Sequence, residues 1–180
     1  MDYASRDLRD EHEGILHALD ILEKIVIKVK TGSLDETEDI TEIIDFFKVF
    51  ADKCHHGKEE GLLFPAMEKA GIPSENGPIA QMLYEHVKGR EYIAAMSDSV
   101  SVRPPRKDDF ISAAQNYIGL LRSHIDKENN ILFPLGDRKI REEVQQKLLS
   151  DFNDFEEKVM GQGVHEKLHE LLERFGKKYL

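Results

Sequence analysis

Two stretches of this chain align without a gap, and they strongly limit what it can fold into. His55-His56-Gly57-Lys58-Glu59-Glu60-Gly61-Leu62-Leu63-Phe64-Pro65 matches His124-Ile125-Asp126-Lys127-Glu128-Asn129-Asn130-Ile131-Leu132-Phe133-Pro134 at histidine, lysine, glutamate, leucine, phenylalanine and proline. Each stretch closes a run of helical apolar spacing. One run is Ile40, Ile44, Phe47, Ala51, His55 and Glu59; the other is Phe110, Ala113, Tyr117, Leu121, His124 and Glu128. Two further runs share a Glu-His pair, Glu11-His12 and Glu85-His86. Leu8, His12, Ile15, Leu19, Leu22, Val26 and Val29 form the first of these seams. Ile79, Met82, His86, Gly89, Ile93 and Met96 form the second. Spacing by three and four is the mark of a helix with one apolar stripe. The core therefore reads as two copies of one helical hairpin, each with a lone seam histidine followed by a His-x-x-x-Glu pair.

Short connections between long helices favour antiparallel neighbours. The expected fold is all-α: an antiparallel up-down-up-down four-helix bundle with additional C-terminal helices. A single domain is expected over residues 1–180, with the four-helix core at about 5–135 and accessory helices at about 138–176. Ser5 is the expected N-cap of the first helix and Gly32 its stop. A loop is expected from Gly32 to Asp39. Pro65 should end or kink the second helix, leaving a short extra turn from Phe64 to Ala70 that stops at Gly71, and Pro134 should interrupt the fourth. Further connections are expected at Ile72 to Pro78 and Ser97 to Pro105, and Gly161-Gln162-Gly163 should separate the two accessory helices.

Composition excludes several classes of partner. The net charge of −10 argues against nucleic acid and anionic membrane surfaces, which both attract basic patches. No apolar run approaches a membrane span. The first residues lack the apolar core of a signal peptide. Cys54 is the only cysteine, so no intrachain disulfide can form. The expected compartment is the cytoplasm.

Residues four apart on a helix lie on one face. His55 with Glu59, and His124 with Glu128, can each aim an imidazole and a carboxylate at one point. Such groups are costly in an apolar seam unless they are paired or bound to a metal. A pair of metal ions between the hairpins would satisfy His12, His55, Glu59, His86, His124 and Glu128 together. Mixed imidazole and carboxylate donors suit iron, with zinc or manganese as alternatives. Each ion would receive two imidazoles and share two bridging carboxylates, with positions left for an oxo or hydroxo bridge and a small ligand. His56 and Glu60 are also four apart and stand as the fallback pair; the repeat selects His55 and Glu59 and puts His56 off the core. His17 reads as a flanking residue, His165 and His169 as an ordinary helix face, Cys54 as packing and Tyr117 as core.

The ordered set His12, His55-x-x-x-Glu59, His86, His124-x-x-x-Glu128 resembles the hemerythrin-like HHE cation-binding domain. The Lys-Glu-Glu-x-Leu-Leu-Phe-Pro context and Val164-His165-Glu166-Lys167-Leu168-His169 are similar to that family as well. The resemblance runs from about Ser5 to Phe175. It implies a non-haem di-iron centre with His12 and His55 on one iron, His86 and His124 on the other, and Glu59 and Glu128 between them. Oxygen-carrying hemerythrins have a second histidine four residues after that of the third helix, where this chain has Arg90. They also place the last carboxylate five residues after its histidine, whereas Glu128 follows His124 by four. The implied centre is one imidazole short and more open.

Three functions compete. The first is a module that binds or senses oxygen, nitric oxide or iron without turnover. The second is a di-iron enzyme acting on peroxide or nitric oxide, with Arg90 as a cation near the open positions. In the third the metal is structural and protein partners dock outside. The expected small-molecule partner is a diatomic ligand or peroxide.

Overall fold

The computed structural model describes residues 3–32, 37–161 and 163–180, and among them every regular element is helical. The elements are α1 (Ala4–Thr31), α2 (Thr37–Phe46), π1 (Phe47–His56), π2 (Glu59–Leu63), α3 (Phe64–Lys69), α4 (Pro78–Ser101), α5 (Lys107–Lys127), π3 (Glu128–Leu132), α6 (Phe133–Lys139), α7 (Glu142–Met160) and α8 (Val164–Tyr179). No described helix is long and apolar enough to cross a membrane.

Residues 37–69 form one continuous rod, and residues 107–139 form another. Pro65 and Pro134 therefore do not end their helices, but α winding is interrupted just before each of them. A proline ring collides with the carbonyl four residues back in an α-helix. Here the turn before each proline is widened to a π-helix, which relieves that collision. Phe64 N–H donates to the carbonyl of Glu59, and Phe133 N–H to that of Glu128, each five residues back. The wide turn thus follows each His-x-x-x-Glu pair directly. α3 stops where Gly71 takes φ +87°, a conformation other residues rarely adopt.

Other boundaries shift for local reasons. Ser5 does not cap α1: the helix begins at Ala4, whose N–H donates to Gln145 Oε1 of α7, and Ser5 Oγ donates to Asp137. The loop expected from Ser97 starts only at Val102, because Ser99 and Ser101 hydroxyls bond back to Met96 and Asp98 carbonyls and Val100 is buried. α8 runs past Phe175 to Tyr179. Residues 33–36 of the first expected loop, and residue 162 of the glycine turn, lie outside the described residues.

α1 packs on α5 and on α2–π1, and α4 packs on α5 and on α2–π1, so the four long segments surround one interior. α7 lies against π1, π2 and α1, and α8 lies against α1. The interior divides into two apolar clusters. One holds Ile15, Leu19, Phe47, Ala51, Met96, Tyr117, Leu121 and their neighbours. The other holds Leu8, Leu63, Phe64, Met67, Met82, Leu132 and Phe133. Every candidate ligand falls between them along its helix: His12 after Leu8 and before Ile15, His86 after Met82 and before Ile93. A polar layer thus interrupts an otherwise apolar core.

Tyr117 is fully buried beside Phe47, ring centroids 5.0 Å apart, and its hydroxyl has no hydrogen-bond partner among the described residues. Burial pushes that phenol well above its ordinary pKa. An unsatisfied buried hydroxyl is a cost. Tyr117→Phe is therefore expected to leave stability unchanged or raise it by up to about 1 kcal/mol, read from urea unfolding. A clear loss would show that the hydroxyl has a partner such as a buried water.

Candidate metal centre

All six residues singled out in the sequence meet in the polar layer, and each is almost completely buried. The geometry follows the repeat. His55 Nε2 lies 3.6 Å from Glu59 Oε1, and its counterpart His124 Nε2 lies 3.2 Å from Glu128 Oε1. The seam histidines take the other oxygens across the interior. His86 Nε2 is 3.3 Å from Glu59 Oε2, and His12 Nε2 is 3.3 Å from Glu128 Oε2. Each carboxylate therefore spans one histidine from each hairpin. His12, His55, Glu59 and Glu128 form one pocket, with ligand atoms within 4.8 Å of one another.

The second pocket corrects the sequence reading. It contains His56 together with Glu59, His86 and His124. His56 was expected off the core, with His56 and Glu60 as an alternative to His55 and Glu59. Instead both histidines are buried, because the rod faces two neighbours at once. His55 turns to α1, with its ring 4.6 Å from His12; His56 turns to α4, with its ring 3.8 Å from His86. Glu60 lies outside the pockets, where it accepts from His86 Nδ1 at 2.7 Å. His56 thus places a fifth imidazole beside the six residues read from the sequence. Arg90 does not line the pockets either; its guanidinium donates to Asp52 and Glu60 at 2.7 Å each.

Each of the four repeat-related imidazoles is held at Nδ1, which leaves Nε2 facing inward. Glu11 holds His55 at 2.8 Å and Glu85 holds His124 at 2.9 Å. Asn129 holds His12 at 2.9 Å and Glu60 holds His86. Lysines extend the pattern: Lys58 Nζ donates to Glu11 at 2.6 Å, and Lys127 donates to Glu85. Phe133 and Phe64 lie nearly parallel to His12 and His86. The lysine and phenylalanine shared by the repeat, and the glutamates of both Glu-His pairs, therefore lie around the imidazoles of the layer. The sequence reading noticed these matches without assigning Glu11, Glu85, Lys58 or Lys127 a role. Their signal was present, since each repeats with its histidine.

The residues fit metal ions. His12 Nε2, His55 Nε2 and both oxygens of Glu59 and Glu128 are buried without a hydrogen-bond partner among the described residues. Such atoms are rarely left orphaned. Ligands about 2.1 Å from one ion lie at most about 4.2 Å apart. Both pockets thus need to contract by only several tenths of an ångström. Orienting carboxylates on the far nitrogens of histidines are the usual support of such ligands.

The remaining candidates fall elsewhere. His165 and His169 face each other, ring centroids 4.5 Å apart, and His165 approaches Phe50. His17 packs near Gly176 of α8. Cys54 groups with Glu11 and Glu156, but Lys58 Nζ already lies 2.6 Å and 3.6 Å from those carboxylates. Burial pushes the Cys54 thiol up to about 12, so it stays protonated.

Residues 4–136 match the family model described as hemerythrin HHE cation binding domain. The chain belongs to this family. The matched region contains all the residues of both pockets. Among curated proteins, the chain is similar to the iron-sulfur cluster repair protein YtfE of Edwardsiella ictaluri (strain 93-146). They are 28% identical over 134 residues, covering 70% of this chain and 60% of that one. An uncharacterized protein of Mycobacterium tuberculosis (strain ATCC 25618 / H37Rv) is 22% identical over 135 residues, covering 73% of this chain and 52% of that one. The match to this hemerythrin-family chain thus spans little more than half the length of these relatives. No solved structure gives a significant match.

Proposed function

We propose that the chain holds two iron ions in a non-haem centre and binds or senses a diatomic ligand, oxygen or nitric oxide, or iron itself. His12 and His55 would hold one ion, His86 and His124 the other, with Glu59 and Glu128 bridging, in an antiparallel up-down-up-down four-helix bundle. The observation that carries this reading is the set of orphaned buried nitrogens and oxygens facing one another between the hairpins. Mixed nitrogen and oxygen donors suit iron. The iron-sulfur repair named for one relative points to the same element. Iron would supply a redox-active pair of ions able to take a small ligand. The enzyme reading loses one of its supports, since Arg90 is bound to Asp52 and Glu60.

Metal analysis of untagged protein, together with its visible spectrum in air, tests the reading. Two irons per chain with oxo-bridged diferric bands are expected. A colourless zinc protein would favour the structural reading. A folded chain that takes up no metal would overturn both.

Loading should also release protons. Burial pulls His124 down, but Glu128 and Glu85 outweigh it and hold the imidazole at about 10. His86 is raised as well, its burial outweighed by Glu59 and Glu60. Burial holds His55 at about 3, so it is already neutral. An ion must displace the protons from raised histidines, so affinity should climb from neutral pH towards about 10. About one to two protons per chain should leave near neutral pH. Calorimetric titration in two buffers of different ionisation enthalpy measures this; no buffer dependence would contradict it.

A further inference from the structure

We propose that a groove on the outside of the fold, between α3 and α7, binds an amphipathic organic anion: a free fatty acid of medium chain length, with its tail on the groove floor and its carboxylate among Lys69, Lys139 and Arg141. The groove lies apart from the metal centre, and the proposal does not depend on what that centre holds. Its volume is about 750 Å³. Small-molecule sites commonly occupy about 300–1,000 Å³ and combine an apolar lining with a few polar groups.

The rod of residues 37–69 and its continuation supply one wall. Gly61, Pro65 and Lys69 are spaced by four, as are Leu62, Ala66 and Ala70, and all six line the groove. Three of them are small where the second copy of the repeat is large: Gly61, Ala66 and Ala70 stand where it has Asn130, Leu135 and Lys139. A Cβ at Gly61 would meet no atom within 4 Å. Missing side-chain volume thus opens the space. Val144 and Leu148, one turn apart on α7, supply the facing apolar wall. Leu148 is buried in the cluster against which Leu62, Ala66 and Val144 pack.

The cations come from the ends of α3 and α6. α6 stops at Lys139, the next two residues are extended, and Ile140 is buried. Alternate residues of extended backbone point to the same side. Lys139 and Arg141 therefore both turn outward while Ile140 anchors the connection. Together with Lys69 they line the groove, exposed and without an ion pair among the described residues. Asp151, the acid in the lining, is already held by Lys147 at 2.6 Å. Glu142 and Glu143 follow Arg141 but do not line the groove. The chain has 35 acidic against 25 basic residues, so unpaired cations around an apolar floor reverse its charge locally. A fully polar anion would leave the floor bare, and a neutral lipid would leave the cations unanswered. A carboxylate with a tail answers both, since guanidinium and ammonium groups make strong hydrogen bonds to carboxylates. A flat bilayer surface cannot enter a groove between two helices, whereas a single free tail can.

Calorimetric titration of the purified chain with decanoate, kept below its micelle-forming concentration, tests the proposal. One decanoate per chain is expected. Octanoate should bind more weakly, by up to about fourfold for each methylene removed. Decanol and decylamine should each bind at least about tenfold more weakly than decanoate, because neither offers the charged acceptor. Lys139→Gln combined with Arg141→Gln should lose a similar factor with metal content unchanged, since neither residue belongs to the metal centre. Gly61→Leu, which puts apolar bulk into the open space, should block binding while the helical circular dichroism stays. Decanoate uptake that is absent, that decylamine matches, or that survives these substitutions unchanged would overturn the proposal. Sedimentation of the chain with phosphatidylglycerol vesicles, without uptake of free decanoate, would also overturn it and assign the cations to a membrane headgroup.

Discussion

Glu59→Gln is expected to empty both pockets rather than one. The amide keeps the size of the side chain but loses the charge and one of the two acceptor oxygens. Glu59 Oε1 serves the pocket of His55, and Oε2 serves that of His86. Orienting partners outside the ion contacts typically contribute about 10–100-fold in metal affinity, so a shared bridging carboxylate should exceed that at each ion. Metal content after desalting should fall from two ions per chain to near none, while the helical circular dichroism stays. Glu128→Gln should behave alike, because it spans His12 and His124 in the same way. Retention of one tightly held ion in either variant would mean that the carboxylate does not bridge.

Lys58→Met should destabilise the metal-free chain by about 3–5 kcal/mol, the usual result of stripping one partner from a buried ion pair. Lys58 is fully buried, with Glu11 at 2.6 Å, Asp7 at 2.9 Å and the ring of Phe152 beneath its ammonium. Burial pulls its pKa down, but Glu11 and Asp7 outweigh this, so the ammonium stays charged. Without it, the Glu11 carboxylate remains buried against His55 with no cation. The repeat supplies the control. Lys127 makes the equivalent contact with Glu85 but is about a third exposed, so water can replace it. Lys127→Met should therefore cost about 1 kcal/mol or less. Urea unfolding of the two metal-free variants measures the difference. Equal costs would show that burial does not distinguish the two lysines.

The helices, the paired hairpins and the six principal residues of the polar layer were legible because each leaves a local trace. Spacing by three and four reports which face of a helix is buried. The gapless match between the stretches at His55 and His124 reports a duplicated unit. Polar groups on an apolar stripe need an explanation wherever the stripe lies, so His12, His55, Glu59, His86, His124 and Glu128 could be found without knowing what they touch. The family itself was within reach of the same residues.

Other features were settled by contacts between helices. The path of the chain at Pro65 and Pro134 depends on a change from α to π winding, which residue spacing does not encode. Periodicity assumes one buried face per helix, but the rod of residues 37–69 faces α1 and α4 together. His55 and His56 are therefore both interior, where a single seam admits only one. Arg90 looked like a cation for the pocket by its position on α4; Asp52 and Glu60, brought in by the neighbouring rod, hold it elsewhere. The sequence determined which side chains must be buried and that they come in two matching sets. Only the tertiary structure decided which residue orients which histidine: Glu11 on His55 within one hairpin, Asn129 on His12 and Glu60 on His86 between the two. The reason is physical: periodicity describes a helix against an average interior, whereas a hydrogen bond or a shared ligand pocket requires particular atoms of different helices to meet within a few ångströms.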